Sequence, residues 1–204
     1  MKRRYGQETK NEWVVFSPRI NMALNMAVET FTNEGDGIVL HTPAYTALQN
    51  AVEKYNRVMI ESPLVLENGR YKMDFQQLRR NLDEKKAQGV CAKIMLLCNP
   101  HNPIGKVWSK DDLKQIGNIC KKHHVYVVSD EIHMDFVYQG HTHTPFYNVD
   151  ESFKEFTLIC TAPSKTFNLA ALQTSNIIIA DEKMREAFIL SLIHISEPTR
   201  RVVI

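Results

Sequence analysis

Four short runs of the chain carry residue types that chemistry needs. Asn99-Pro100-His101-Asn102-Pro103-Ile104-Gly105 supplies amides, Ser129-Asp130-Glu131-Ile132-His133 carboxylates, and Ser164-Lys165-Thr166-Phe167-Asn168 an amine. His41-Thr42-Pro43-Ala44-Tyr45 adds an aromatic ring. Brought together, an amide, a carboxylate, an amine and an aromatic plane suit a flat heteroaromatic ligand with an aldehyde, a ring nitrogen and a phosphate. Whether they meet depends on the elements that carry them.

Each run leaves a short apolar stretch, at 38–40, 92–98, 125–128 and 158–161, and further stretches at 13–16, 57–60 and 176–179 have the same character. Helical spacing fills the gaps. Met22, Met26, Ala27 and Phe31 share one face of a helix over 21–31, and a second helix is predicted over 45–55. Asp74 caps a helix through 82, Ser109-Lys110-Asp111-Asp112 opens one ending near His123, and Asp181 starts the last. Continuous Val/Ile/Leu strands separated by helices predict an α/β fold, a three-layer sandwich around a mostly parallel sheet covered on both faces. Ligands of such sheets sit beyond the carboxyl ends of the strands, where the four runs lie. The polar stretch 138–152 reads as an insertion.

Composition excludes several classes. The 204 residues hold 25 Lys+Arg against 23 Asp+Glu, a net charge of +2 that offers no basic groove for nucleic acid. No apolar run approaches the ~20 residues that span a bilayer, and the N-terminus has no apolar signal core. Cys91, Cys98, Cys120 and Cys160 form no Cys-x-x-Cys pair and read as buried thiols of a reducing compartment, so a cytoplasmic protein is expected. His123-His124 and His141-x-His143 lack Cys, Asp or Glu at metal-ligand spacing, and no metal is expected.

In order and spacing, Asn-Pro-His-Asn-Pro-Ile-Gly, Ser-Asp-Glu-Ile-His and Ser-Lys-Thr-Phe-Asn resemble the fold-type I pyridoxal-phosphate enzymes. More narrowly they resemble the cystathionine β-lyase/maltose-regulon-modulator branch of the class I and II aminotransferases. The resemblance covers about residues 2–189. It implies the large domain of the aspartate-aminotransferase-like fold, pyridoxal 5'-phosphate (PLP) as cofactor, a small amino-acid substrate and a homodimer. By the same resemblance Lys165 joins the cofactor aldehyde and later carries the substrate α-proton, with a pKa lowered by burial. Asp130 pairs with the ring nitrogen and keeps it protonated. Asn102 and His133 reach the phenolic oxygen, and Tyr45 stacks on the ring. Ser164 and the N–H groups of Ile20 and Asn21, which open a helix, hold the phosphate.

Plainer readings stand beside these roles: a loop lysine, a helix-capping or ion-paired aspartate, a turn asparagine, a core tyrosine, a buried histidine and a turn serine. The chain also departs from the family pattern. Ala162 stands where many relatives have Ser, and Gln173 where many aminotransferases have a phosphate-binding Arg. Arg19 replaces a commonly small residue and either adds charge near the phosphate or lies on the surface.

These departures favour a carbon–sulfur β-lyase that cleaves cystathionine or a related cysteine S-conjugate to thiol, pyruvate and ammonia. The alternatives are an amino-acid aminotransferase and a non-catalytic cofactor-binding regulatory protein. Residues 190–200 read like a translated sequencing adapter, their plainer reading being an amphipathic helix ended by Pro198. The expected organisation is a partial large domain over 1–189 and a foreign tail over 190–204. The small C-terminal domain, with its substrate-carboxylate Arg, is expected to be missing. Alone, the chain is expected to be inactive or poorly soluble, with one apolar sheet face uncovered.

Overall fold

Successive side chains of a strand point to opposite faces, so a strand that is apolar throughout needs cover on both sides. The computed structural model describes residues 1–196, with side chains up to Ile193, and supplies that cover. In chain order the elements are α1 (Lys2–Tyr5), β1 (Val14–Ser17), α2 (Ile20–Phe31), β2 (Gly37–Thr42), α3 (Thr46–Glu53), β3 (Val58–Glu67), β4 (Arg70–Met73) and α4 (Phe75–Ala87). There follow β5 (Ala92–Cys98), α5 (Lys110–Lys122), β6 (Tyr126–Asp130), β7 (Thr157–Thr161), α6 (Pro163–Thr166), β8 (Ser175–Ile179) and α7 (Glu182–Ser196).

The strands form one sheet in the order β1-β8-β7-β6-β5-β2-β3-β4. Its centre, β3-β2-β5-β6-β7, is parallel. The outer pairings β7–β8, β8–β1 and β3–β4 are antiparallel. Ile38, Leu40, Ile94, Leu96, Val128 and Leu158 face one way and pack on Leu24 and Val28 of α2, Leu48 and Val52 of α3 and Phe188 of α7. Val39, Met95, Leu97, Val127 and Ile159 face the other way, onto Leu78 and Leu82 of α4 and Leu113, Ile116 and Ile119 of α5. The uncovered sheet face expected from the sequence is therefore not present.

Two helix starts follow the predicted capping chemistry. Asp74 Oδ1 accepts from the N–H groups of Gln76 at 3.0 Å and Gln77 at 2.8 Å. Ser109 Oγ accepts from Asp112 N at 3.0 Å while Asp112 Oδ2 accepts from Ser109 N at 3.2 Å, a reciprocal capping box. The β3–β4 hairpin is not in the sequence reading, which ended β3 at residue 60. Its turn signal is present: Asn68 and Gly69 take positive φ of 51° and 73°, the Asn-Gly pattern of a two-residue hairpin.

Other expectations are corrected. The stretch 138–152, read as a polar insertion, is anchored in the core by its few apolar residues. Phe146 and Tyr147 are fully buried, and the Tyr147 hydroxyl lies 2.7 Å from the Thr157 carbonyl and accepts from Ala180 N at 3.1 Å. Cys91 is exposed just ahead of β5, whereas Cys98, Cys120 and Cys160 are buried. Of the tail read as foreign, residues 190–196 continue α7 and 197–204 lie outside the described residues. No helix among the described residues is long and apolar enough to cross a membrane.

Gly117 sits inside α5 against the fully buried Phe153 ring, which stacks on Phe146 at 5.1 Å between centroids. A Cβ there would fall 2.1 Å from the ring edge. Alanine improves helix propensity by about 1 kcal/mol, yet the wedged ring cannot yield that far, and overpacking costs about 1–3 kcal/mol. Gly117→Ala is expected to lower stability, read as a lower urea midpoint; an unchanged or higher midpoint would refute the packing.

Candidate active site

The parallel strands end side by side, so the residues that leave them share one rim. β6 ends on Asp130, which is 6% exposed. Its Oδ1 accepts from Ile132 N at 3.1 Å, and among the described residues it forms no ion pair. Burial pushes its carboxyl up to about 6, helped by the charge of Glu131 and opposed by the Ile132 N–H and the Lys165 ammonium. Glu131 is fastened elsewhere. It accepts from Ser129 Oγ at 3.0 Å and Phe146 N at 2.9 Å, and its Oε2 lies 2.9 Å from His143 Nε2. His143, read as part of a polar loop, is thus a buried anchor for the turn after β6.

The exit of β5 is folded back onto the strand. Asn102 N donates to Cys98 Sγ at 3.4 Å, and Trp108 Nε1 donates to the Cys98 carbonyl at 3.0 Å. Burial, with the charge of Asp130, pushes the Cys98 thiol up to about 12, so it serves here as a neutral packing group. His101 Nε2 lies 2.9 Å from the Pro43 carbonyl and ties this loop to the one carrying Tyr45. Burial pushes His41 down to about 4 and lowers His101 as well, so both remain neutral at pH 7.

α6 follows β7 and carries Ser164 and Lys165. The burial expected for Lys165 is not found: its side chain is exposed. Phe167, Leu169 and Leu172 around it are exposed too. On the opposite wall Ile20 and Asn21 open α2, as expected. Arg19 caps α2 in an extended conformation, φ −151° and ψ 152°, and its side chain makes no bond to the free N–H groups of the first turn.

One cavity of about 240 Å³ collects these exits. All eight predicted site residues line it: Ile20, Asn21, Tyr45, Asn102, Asp130, His133, Ser164 and Lys165. Tyr45 is partly exposed at its mouth, against the core-tyrosine reading. His133 is half-buried, and burial together with the Lys165 ammonium lowers its pKa, leaving a neutral ring. Arg19, Cys98, Gln173 and Thr174 complete the wall. Cys98 had no role in the sequence reading, although it stands four residues before Asn102 and ends the same strand.

The cavity lining holds two kinds of group. One is a buried carboxylate that forms no ion pair among the described residues. The other is the uncapped start of a twelve-residue helix with Ser164 and Arg19, groups that suit an anion. A primary amine lies on the rim.

Comparison with known proteins agrees with this geometry. The family model for aminotransferase class I and II matches residues 1–199. Cystathionine beta-lyase PatB of Bacillus subtilis is 43% identical over 192 residues, 94% of this chain and 48% of the relative. Protein MalY of Escherichia coli K12 is 36% identical over 182 residues, 89% of this chain and 45% of the relative. The crystal structure of cystalysin from Treponema denticola, which contains a pyridoxal 5'-phosphate cofactor, superposes with a TM-score of 0.89 at 38% identity, over 95% of this chain and 48% of that one. The chain spans about half the length of the curated relatives it matches. Its match to the family model and its likeness to PatB place it in one family: the chain belongs to the class I and II aminotransferases.

Proposed function

We propose that this chain is the cofactor-binding large domain of a PLP-dependent carbon–sulfur β-lyase. Its substrate is cystathionine or a related cysteine S-conjugate, and its products are thiol, pyruvate and ammonia. The single observation that carries the reading is the unpaired, buried Asp130 carboxylate, which shares one cavity with Lys165 and the open end of α2. These residues offer a partner for each polar group of PLP. Asp130 would hold the proton on the ring nitrogen, and Asn102 would donate to the phenolic oxygen. Tyr45 would cover one face of the ring. Ser164 and the N–H groups of Ile20 and Asn21 would take the phosphate. When bound, PLP supplies an electron sink for charge developing at the substrate α-carbon.

The remaining chemistry falls to the chain. Lys165 is the only lysine among the described residues lining the cavity, so it would be the amine that attaches the cofactor and the base that takes the substrate α-proton. His133, neutral at pH 7, is a second hydrogen-bonding group near the phenolic oxygen. Gln173 in place of an arginine and the likeness to PatB favour the lyase over the aminotransferase. Thiol release from cystathionine without added keto acid tests the choice; transamination that requires a keto acid, with no thiol, would reverse it.

The exposed apolar residues Tyr45, Phe136, Tyr138, Phe167 and Leu172 support a homodimer. Three buried free thiols support a cytoplasmic location.

Arg19 gives a prediction specific to this chain. It is the one arginine among the described residues that lines the cavity, and it precedes the α2 N-terminus. Arg19→Gly is expected to weaken PLP binding about tenfold, the scale of one charge-assisted contact, while leaving pyridoxal, which lacks the phosphate, unaffected. Equal loss for both ligands would place Arg19 outside the phosphate site.

A further inference from the structure

Lys165 and Ser164 ride on α6, a helix of four residues whose N-cap, Ala162, has no side chain able to cap it. Such a short helix holds no orientation by itself. Thr166 tethers it: its Oγ1 donates to Asp135 Oδ2 at 2.6 Å. Asp135 belongs to the turn after β6, five residues beyond Asp130 and two beyond His133. This one hydrogen bond therefore joins the lysine-bearing helix to the turn whose other residues face the cavity.

Asp135 is itself held from a third direction. Arg4 of α1 pairs with its Oδ1 at 2.9 Å, and the Tyr5 hydroxyl donates to the same oxygen. The Tyr5 ring stands edge-on to His143 with centroids 5.6 Å apart, and His143 anchors Glu131. Asn148 Nδ2 donates to the Tyr5 carbonyl at 2.7 Å, which fixes α1 in place. Burial raises the Asp135 carboxyl, but the Thr166 and Tyr5 hydroxyls, with Arg4 and His143, hold it below the usual range. At neutral pH it is a fully ionised acceptor. The groups form a brace that starts at Glu131, beside the ring-pairing aspartate, and ends at Thr166, beside the lysine.

The geometry points to Asp135 as a positioning residue: by gripping the Thr166 hydroxyl, backed by Arg4 and Tyr5 of α1, it sets Lys165 against Asp130 and His133. Asp135 is not among the residues that line the cavity holding Lys165 and Asp130. It acts through α6. The inference rests on Lys165 being the cofactor lysine, and it makes α1, remote from the cavity, part of what the site requires.

The test uses the PLP-saturated chain and four variants, Thr166→Val, Thr166→Ser, Asp135→Asn and the Asp135→Asn/Thr166→Val double. Valine keeps the shape and loses the hydroxyl; serine keeps the hydroxyl. Cofactor loss after gel filtration is expected to quicken about tenfold in Thr166→Val and Asp135→Asn, the effect of one charge-assisted hydrogen bond. The pH midpoint of the visible absorption of the bound cofactor is expected to move in both, because it reports the surroundings of the lysine. Thr166→Ser should stay within about twofold of the parent, and the double variant should be no worse than either single, as expected of partners in one contact. The unfolding midpoint of the cofactor-free proteins should be unchanged.

Unchanged cofactor loss in Thr166→Val, strict additivity in the double variant, or a fall in cofactor-free stability that accounts for the whole effect would each overturn the positioning role. A parent chain that develops no visible absorption with PLP would overturn the proposed function, and this inference with it. A parent that binds PLP beside an unaffected Thr166→Val overturns the inference alone.

Discussion

In the lyase to which this domain is proposed to belong, Lys165→Ala will lower the rate of thiol release from cystathionine at least about 10³-fold from that of the parent. One amine does two jobs in the proposed reaction, covalent attachment and proton transfer, and the second alone is worth about 10²–10⁴-fold. Among the described residues no other lysine lines the cavity to replace it. His133 lines the same cavity and is neutral, but an imidazole forms no lasting bond to an aldehyde, and in the proposed site it would serve the phenolic oxygen. Added methylamine is expected to restore part of the rate, since a free amine fits the space the side chain leaves. The measurement is thiol appearance in single-turnover assays of the PLP-saturated protein. Thiol release by Lys165→Ala at the parental rate would remove Lys165 from the chemistry altogether.

Asp130→Asn separates stability from function. The carboxyl is buried, and its pKa is pushed from 3.8 up to about 6. Between those values the folded, cofactor-free chain binds more protons than the unfolded chain. Its stability therefore falls as pH rises through that window, and the cost is fully present above pH 6. A shift of about two units corresponds to about 3 kcal/mol at neutral pH. Asparagine keeps the acceptor for the Ile132 N–H and carries no charge, so the cofactor-free variant should be more stable than the parent by about 2–3 kcal/mol at pH 7 and equal to it near pH 4. The two proteins share every other titrating group, including His41, so their difference isolates Asp130. Activity should move the other way, down about 10²-fold or more, because a neutral amide cannot hold the ring nitrogen protonated. Urea midpoints at pH 4 and 7, with thiol release at pH 7, read both effects. A variant no more stable than the parent at pH 7 would mean that the carboxylate already has a partner.

Both substitutions use residues legible from the sequence, and the reason is local. Strand periodicity fixed which residues leave the sheet at its carboxyl edge, and Asp130, Asn102, Ser164 and Lys165 follow apolar runs directly. Helix starts were equally plain where a side chain supplies the cap, as at Asp74 and Ser109, because that bond forms within three residues. The Asn68-Gly69 hairpin was legible too and was passed over, since the run before it turns polar after Ile60.

What the sequence hid depends on contacts between distant segments. The stretch 138–152 reads as polar, yet two aromatic residues and His143 draw it into the core; only the packing of Tyr147 against β7 and β8 reveals this. The exposure of Lys165 could not be read from its apolar neighbours, because Phe167, Leu169 and Leu172 face outward. Nor does any local pattern link Tyr5 to Asp135, 130 residues apart, or Asp135 to Thr166.

By itself, then, the sequence determined the layered α/β architecture and the chemical inventory of the rim, since both follow from side-chain alternation and from which residue ends each strand. The tertiary structure alone decided that the eight residues share one cavity, that Asp130 forms no ion pair among the described residues, and that Asp135 bonds to both α1 and the lysine-bearing helix. Those depend on strand order, β7 beside β6 and β6 beside β5, and on chain segments that meet only when the sheet is assembled.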